Sequence, residues 1–184
     1  CGPTGSAQNC TSGGIDAGQD KPVDGSGDAV SNAMSPPTPG WYCFRAEYTP
    51  GAGSKYLATS HTNSTTECFQ VTKHNPSIVT FTDQSVSAGN AIEDSATLSG
   101  GFNPTGTITF RAYGPNDATC GNAAIFTSDP VTVSGNATYG PVSFSPAVAG
   151  TYRWIASYGG DANNNAIDGG AGTLGLQLYR TVGE

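Results

Sequence analysis

Apolar and polar residues alternate one by one along several short stretches of this chain. No stretch repeats its apolar residues at the spacing of an amphipathic helix. The cleanest case is "GTITFRAY" (106–113), where Ile108, Phe110 and Ala112 fall on one face of an extended chain and Thr107, Thr109 and Arg111 on the other. "TYRWIASY" (151–158) gathers Tyr152, Trp154, Ala156 and Tyr158 in the same way, and "TLGLQLY" (173–179) gathers Leu174, Leu176 and Leu178. "SIVTFT" (77–82), "DSATLS" (94–99) and shorter runs near 124–127 and 130–133 read as further strands. "ATYGPVSF" (137–144) reads as a strand broken at Gly140-Pro141, where a bulge is expected. About seven short strands in roughly 100 residues, separated by Gly, Pro, Asn and Asp clusters, predict an immunoglobulin-like β-sandwich over residues 74–184.

The pattern also repeats. "SPPTPGWYCFRAEY" (35–48) matches "SPAVAGTYRWIASY" (145–158), and "CGPTGSAQNC" (1–10) matches "YGPNDATC" (113–120). An offset of roughly 110 residues is the size of a small domain rather than of a solenoid repeat. The fold class that follows is all-β, with tandem immunoglobulin-like β-sandwich domains of which the first is incomplete. Residues 1–73 form the C-terminal part of one domain and 74–184 a second, with the boundary at "HNPS". Cys1 aligns with Tyr113, so residues 77–112 have no counterpart in the first copy. The shared Gly-x-Tyr predicts a tyrosine corner at Tyr42 and at Tyr152. Two positions later, Phe44 and Trp154 point inward and join Phe110 in the predicted core.

That parity bears on the five cysteines. With Tyr42 and Phe44 inward, Cys43 points out, and so does Cys68 if Phe69 and Val71 fill the core. Cys43 and Cys68 are therefore expected to bridge neighbouring strands, and Cys1 and Cys10 to close a short hairpin-like segment. Cys120 is left over as a free thiol. Paired cysteines imply an oxidising compartment and an exported protein, secreted or held at the cell surface or cell wall.

The stretches "GGFNPTGTITFRAYGPNDATC" (100–120), "AGTYRWIASYGGDANNNA" (149–166), "CGPTGSAQNC" (1–10) and "YCFRAEY…TECFQVTK" (42–73) resemble bacterial Ig-like repeat modules of large secreted or surface-exposed proteins of Gram-positive bacteria. The resemblance covers nearly the whole chain except its last dozen or so residues. It implies a stalk, spacer or adhesive module with no catalytic residues to carry over. It also implies that a cysteine at the Cys120 position pairs with one in the loop after "GDANNN". Here that loop reads "AIDGGAG" (166–172) and has none.

Composition narrows the chemistry further. Charged residues make up 11% and the net charge is −7, with lysine only at 21, 55 and 73, so binding to nucleic acid through phosphates is not expected. No apolar run is long enough to span a bilayer. A hydrolase needs a histidine close to its nucleophile, whereas His61 lies in a polar loop and His74 in the linker. Glu47, Glu67 and Glu93 sit on or beside strands with nothing to single out a carboxylate pair. No catalytic residue, cofactor or metal is predicted. The nearest approach to a metal loop is "DANNN", whose Asp161, Asn163 and Asn165 have calcium-ligand spacing. Ala166 and Gly172 stand where that loop needs Gly and Glu. A Lys–Asn isopeptide brace is not open to residues 74–184, which contain no lysine. The expected partners are neighbouring Ig-like repeats of the same chain, with a surface glycan or host protein as an unidentified ligand. A carbohydrate-binding module attached to an exported enzyme is the alternative, and it would need aromatic rings grouped on one solvated face.

Overall fold

In the computed structural model, residues 1–82, 85–87, 89–169 and 180–183 are described, and among them every regular element is a β-strand. The chain divides into two compact units, Cys1–Thr72 and Lys73–Glu184.

In the first unit, β1 (Gly40–Cys43) pairs antiparallel with β4 (Cys68–Val71), and β2 (Ala46–Tyr48) pairs with β3 (Thr59–His61). Tyr42 lies opposite Phe69, and Cys43 opposite Cys68. Side chains directly opposite one another share a face, so Tyr42 and Phe69 occupy one side of β1–β4, and Cys43 and Cys68 the other together with Trp41. Cys43 and Cys68 form a disulfide with Cα atoms 4.0 Å apart, and Cys1 and Cys10 form another at 5.8 Å.

Two expectations for this unit are corrected. Phe44 is not a core residue: it is 36% exposed, because no second sheet within residues 1–72 covers the aromatic face. Cys43, expected to point to solvent, is buried. The loop closed by the Cys1–Cys10 bridge lies over its face, with Cys1, Gln8, Asn9, Cys10 and Cys43 lining one small recess. Cys1 and Cys43 also exchange backbone hydrogen bonds of 2.9 Å.

The second unit builds one sheet from β5 (Ser77–Thr82), β7 (Ile92–Ser99) and β11 (Thr138–Phe144), with β7 in the middle. The other contains β6 (Ser85–Ser87), β8 (Thr107–Tyr113), β9 (Phe126–Thr127), β10 (Val131–Thr132), β12 (Gly150–Tyr158), β13 (Ile167–Asp168) and β14 (Arg180–Gly183). All pairings are antiparallel except β14 with β6. Burial alternates strictly along β7 and β8. Ile92, Ala96 and Leu98 from the first sheet therefore meet Ile108, Phe110, Ala112, Trp154 and Ala156 from the second, which makes a β-sandwich. Phe126 stacks on Phe144 at 5.2 Å and meets the edge of Trp154 at 5.8 Å, closing one end of the core.

The break in β11 falls between Tyr139 and Val142. Gly140 has φ 105, and a Cβ there would lie 2.8 Å from the carbonyl oxygen of Asp94, so only glycine passes this close. The Leu174, Leu176 and Leu178 strand lies outside the described residues. Beyond it, β14 pairs with Gly150–Tyr152 at the start of β12.

Candidate functional site

Two glycines explain why the repeat begins with Gly. Gly40 and Gly150 open equivalent strands with φ 145 and 157, and a Cβ on either would lie 2.6 Å from a proline Cβ, of Pro3 and Pro115 respectively. Each glycine therefore lets the segment that begins with a Gly-Pro step lie against the strand. Thr4 and Trp41 exchange backbone hydrogen bonds there, and Asn116 accepts from and donates to Thr151 in the second unit. The Tyr42 hydroxyl donates to the Thr38 carbonyl at 2.8 Å, and that of Tyr152 to the Val148 carbonyl at 2.7 Å. Tyr139 makes the same contact four residues back, to Gly135, at 2.6 Å. The alternation pattern does not single out this third tyrosine.

The "DANNN" loop follows β12 and is where the hydrogen bonds concentrate. Asp161 Oδ1 accepts from the backbone N–H of Asn163 (2.7 Å) and Asn164 (2.8 Å), and Oδ2 from Thr105 N–H (2.6 Å) and the Tyr158 hydroxyl (3.0 Å). Burial would push this carboxyl up, but these donors hold it far below the usual carboxylate range. Tyr158 shifts the other way: burial first, and then the Asp161 carboxylate, raise its hydroxyl to about 12. Asn164, fully buried, accepts from Phe102 N–H (2.8 Å) and donates to Phe102 carbonyl (3.0 Å) and to Asp161. These N–H and O–H groups engage both Asp161 oxygens, whereas Asn163 Oδ1 is buried with no hydrogen-bond partner among the described residues. The Asn165 amide donates to Asn75 Oδ1 (2.7 Å). Among the described residues, no three acidic, histidine or cysteine side chains converge as a metal group.

The loop also grips the chain entering this unit. His74 N–H donates to the Asn163 carbonyl (2.8 Å), and Asn165 N–H to the His74 carbonyl (2.9 Å). Lys73 Nζ reaches the Asp161 carbonyl (2.5 Å), and the His74 ring stacks on Phe102 with centroids 5.4 Å apart. His74, read from sequence as a linker residue, thus sits in a parallel bridge to Asn164 that the sequence pattern does not signal.

The remaining titratable groups are dispersed. His61 contacts Glu67 at 3.2 Å, Glu47 contacts Arg45 at 3.0 Å, and Glu93 accepts from Ser143 at 2.9 Å. Cys120 is a free, partly buried thiol whose pKa is raised by burial and then by Asp117. Asp117 itself accepts backbone N–H from Thr119, Gly121 and Asn122. Asp94 is the exception. It points from β7 into the core with 1% exposure, and among the described residues its carboxylate has no well-aligned hydrogen bond, only the weak opposing pull of the Ser95 backbone N–H. Burial pushes its pKa up to about 8.

No family model and no curated protein matches the chain. Among solved structures it is similar to the CARDB domain of a Pyrococcus furiosus protein. One is a crystal structure in complex with di-metal ions, at 13% identity over 61% of this chain and 89% of that one, with a TM-score of 0.34. The other is a solution structure of the same domain, at 13% identity over 61% and 94%, with a TM-score of 0.35.

Proposed function

We propose that this chain is a non-catalytic segment of tandem Ig-like repeats, residues 1–73 belonging to one and 74–184 to the next. It acts as a spacer or stalk in an exported protein of the Gram-positive surface type that its motifs resemble. The observation that carries this reading is the grip of the Asp161–Asn165 loop on Lys73–Asn75. Tension arriving along the chain at Lys73 loads those hydrogen bonds before it can peel β5 from β7. A catalytic site would spend Asp161 on a substrate or metal; here it holds a loop together. Two disulfides in the first unit fit an oxidising exterior.

Pulling single molecules from the two ends tests the proposal. The Lys73–Glu184 unit should extend in one resisted step, and Asn164→Ala should lower the force of that step. A unit that yields without measurable resistance would remove the spacer reading. Saturable binding to a polysaccharide on a glycan array would favour a carbohydrate-binding module instead.

A further inference from the structure

Cys43 stands between two other cysteines of the first unit. Phe44 N–H donates to the Glu67 carbonyl at 2.9 Å, so one residue earlier the backbone groups of Cys43 turn away from β4, and there both engage Cys1 at 2.9 Å. Residues that exchange two such bonds have Cα atoms about 5.5 Å apart and side chains on a shared face, within the roughly 4.4–6.8 Å that a disulfide spans. On its other side Cys43 faces Cys68, with a Cα separation of 4.0 Å. Cys1, Cys10 and Cys43 line one recess, and Cys68 Sγ lies against the Gln8 carbonyl at 3.6 Å. The two bridges therefore sit side by side, and Cys43 has a bonding partner on either hand. Within the Cys1–Cys10 bridge, Cys1 is partly exposed and Cys10 is buried, so an incoming thiol meets Cys1 first.

We propose that this recess is a thiol–disulfide exchange site, at which a small dithiol opens Cys1–Cys10 and the bridge on Cys43 then passes from Cys68 to Cys1. One dithiol thiolate attacks Cys1 Sγ, and Cys10 leaves as a thiolate. The second dithiol sulfur displaces Cys1 and closes the dithiol to its own disulfide. Two electrons have then moved from the dithiol to the Cys1–Cys10 pair, and the dithiol's two protons are released to water. The Cys1 thiolate next attacks Cys43 Sγ, the Cys43–Cys68 bond breaks, and Cys68 leaves as a thiolate; no electrons are gained or lost in this step. The exchange moves the covalent tie from Cys43 and Cys68, 25 residues apart, to Cys1 and Cys43, 42 apart. Backbone pairing alone then holds β4 to β1.

The test uses the full chain carrying Cys120→Ser, which removes the unrelated thiol. Adding Cys10→Ser leaves Cys1 free without any reductant. After an acid quench and alkylation of free thiols, peptide mapping should find Cys1–Cys43 beside Cys43–Cys68. Cys1–Cys68 should be absent, since two strand spacings, about 9–10 Å, are beyond the reach of a disulfide. Alkylated Cys68 should be at least about tenfold more abundant than in the matching Cys1→Ser chain, which lacks the intramolecular attacker. Limiting dithiothreitol, added to the Cys120→Ser chain with its other four cysteines intact, should give the same Cys1–Cys43 peptide with thiols at Cys10 and Cys68. This second measurement decides the matter if Cys10→Ser unfolds the unit, which Cys1–Cys68 linkage would reveal. A surviving bridge that is always Cys43–Cys68, or Cys68 released equally in the Cys1→Ser chain, would overturn the inference.

Discussion

Asp94 makes the stability of the Lys73–Glu184 unit depend on pH in a direction opposite to most carboxylates. In the folded state its pKa is raised from 3.8 to about 8 by burial, while in the unfolded chain it ionises near its ordinary value. Between those values the native state keeps a proton that the unfolded state has lost, so stability falls as pH rises. The slope is about 1.4 kcal/mol per pH unit, or roughly 2.7 kcal/mol between pH 5 and pH 7, and it levels off above about pH 8. Asp161 acts oppositely: its pKa is depressed, so its contribution is present at neutral pH and is lost only in acid, below about pH 4. The two windows do not overlap. Urea unfolding at pH 5, 6, 7 and 8, followed by Trp154 fluorescence in a Trp41→Phe background, measures the slope. Asp94→Asn should flatten it, whatever it does to absolute stability, because an amide does not ionise here. A wild-type profile flat from pH 5 to 8, or an unchanged slope in Asp94→Asn, would refute the reasoning.

Three further outcomes are expected. Asn164→Ala removes hydrogen bonds to Phe102 and Asp161 from a fully buried position and leaves those groups unpaired, so it should cost about 2–4 kcal/mol in urea unfolding. Labelling of the folded, unreduced protein with a thiol reagent should modify Cys120 alone, slowly near neutral pH and faster as pH rises, because its pKa is raised; modification of Cys43 or Cys68 would contradict the pairing. A fragment of residues 74–184 should melt cooperatively, whereas residues 1–73 alone should show no sharp transition, since Phe44 and Phe69 have no opposing layer.

Alternation along the chain was enough to read the all-β class, the strand at 107–113 and the break at Gly140-Pro141, because the period of two is a local property of an extended backbone. Parity was also enough to pair Cys43 with Cys68, since opposite residues of neighbouring strands share a face. Parity cannot say what lies beyond a face. Phe44 and Trp154 occupy equivalent places in the repeat, yet one is exposed and the other buried, because only the second has another sheet across from it. Cys43 is buried for the converse reason: a disulfide-closed loop from distant residues lies over the side that alternation assigned to solvent. "DANNN" has the composition of a turn or of a cation loop, and composition does not separate the two. Only the fold brings Thr105, Phe102 and His74, remote in sequence, against this loop, with donors for Asp161 and hydrogen-bond partners for Asn163 to Asn165. Asp94 sits on the inward parity of β7 beside Ile92 and Ala96, but the desolvation that raises its pKa comes from the second sheet, which only the folded chain brings across it.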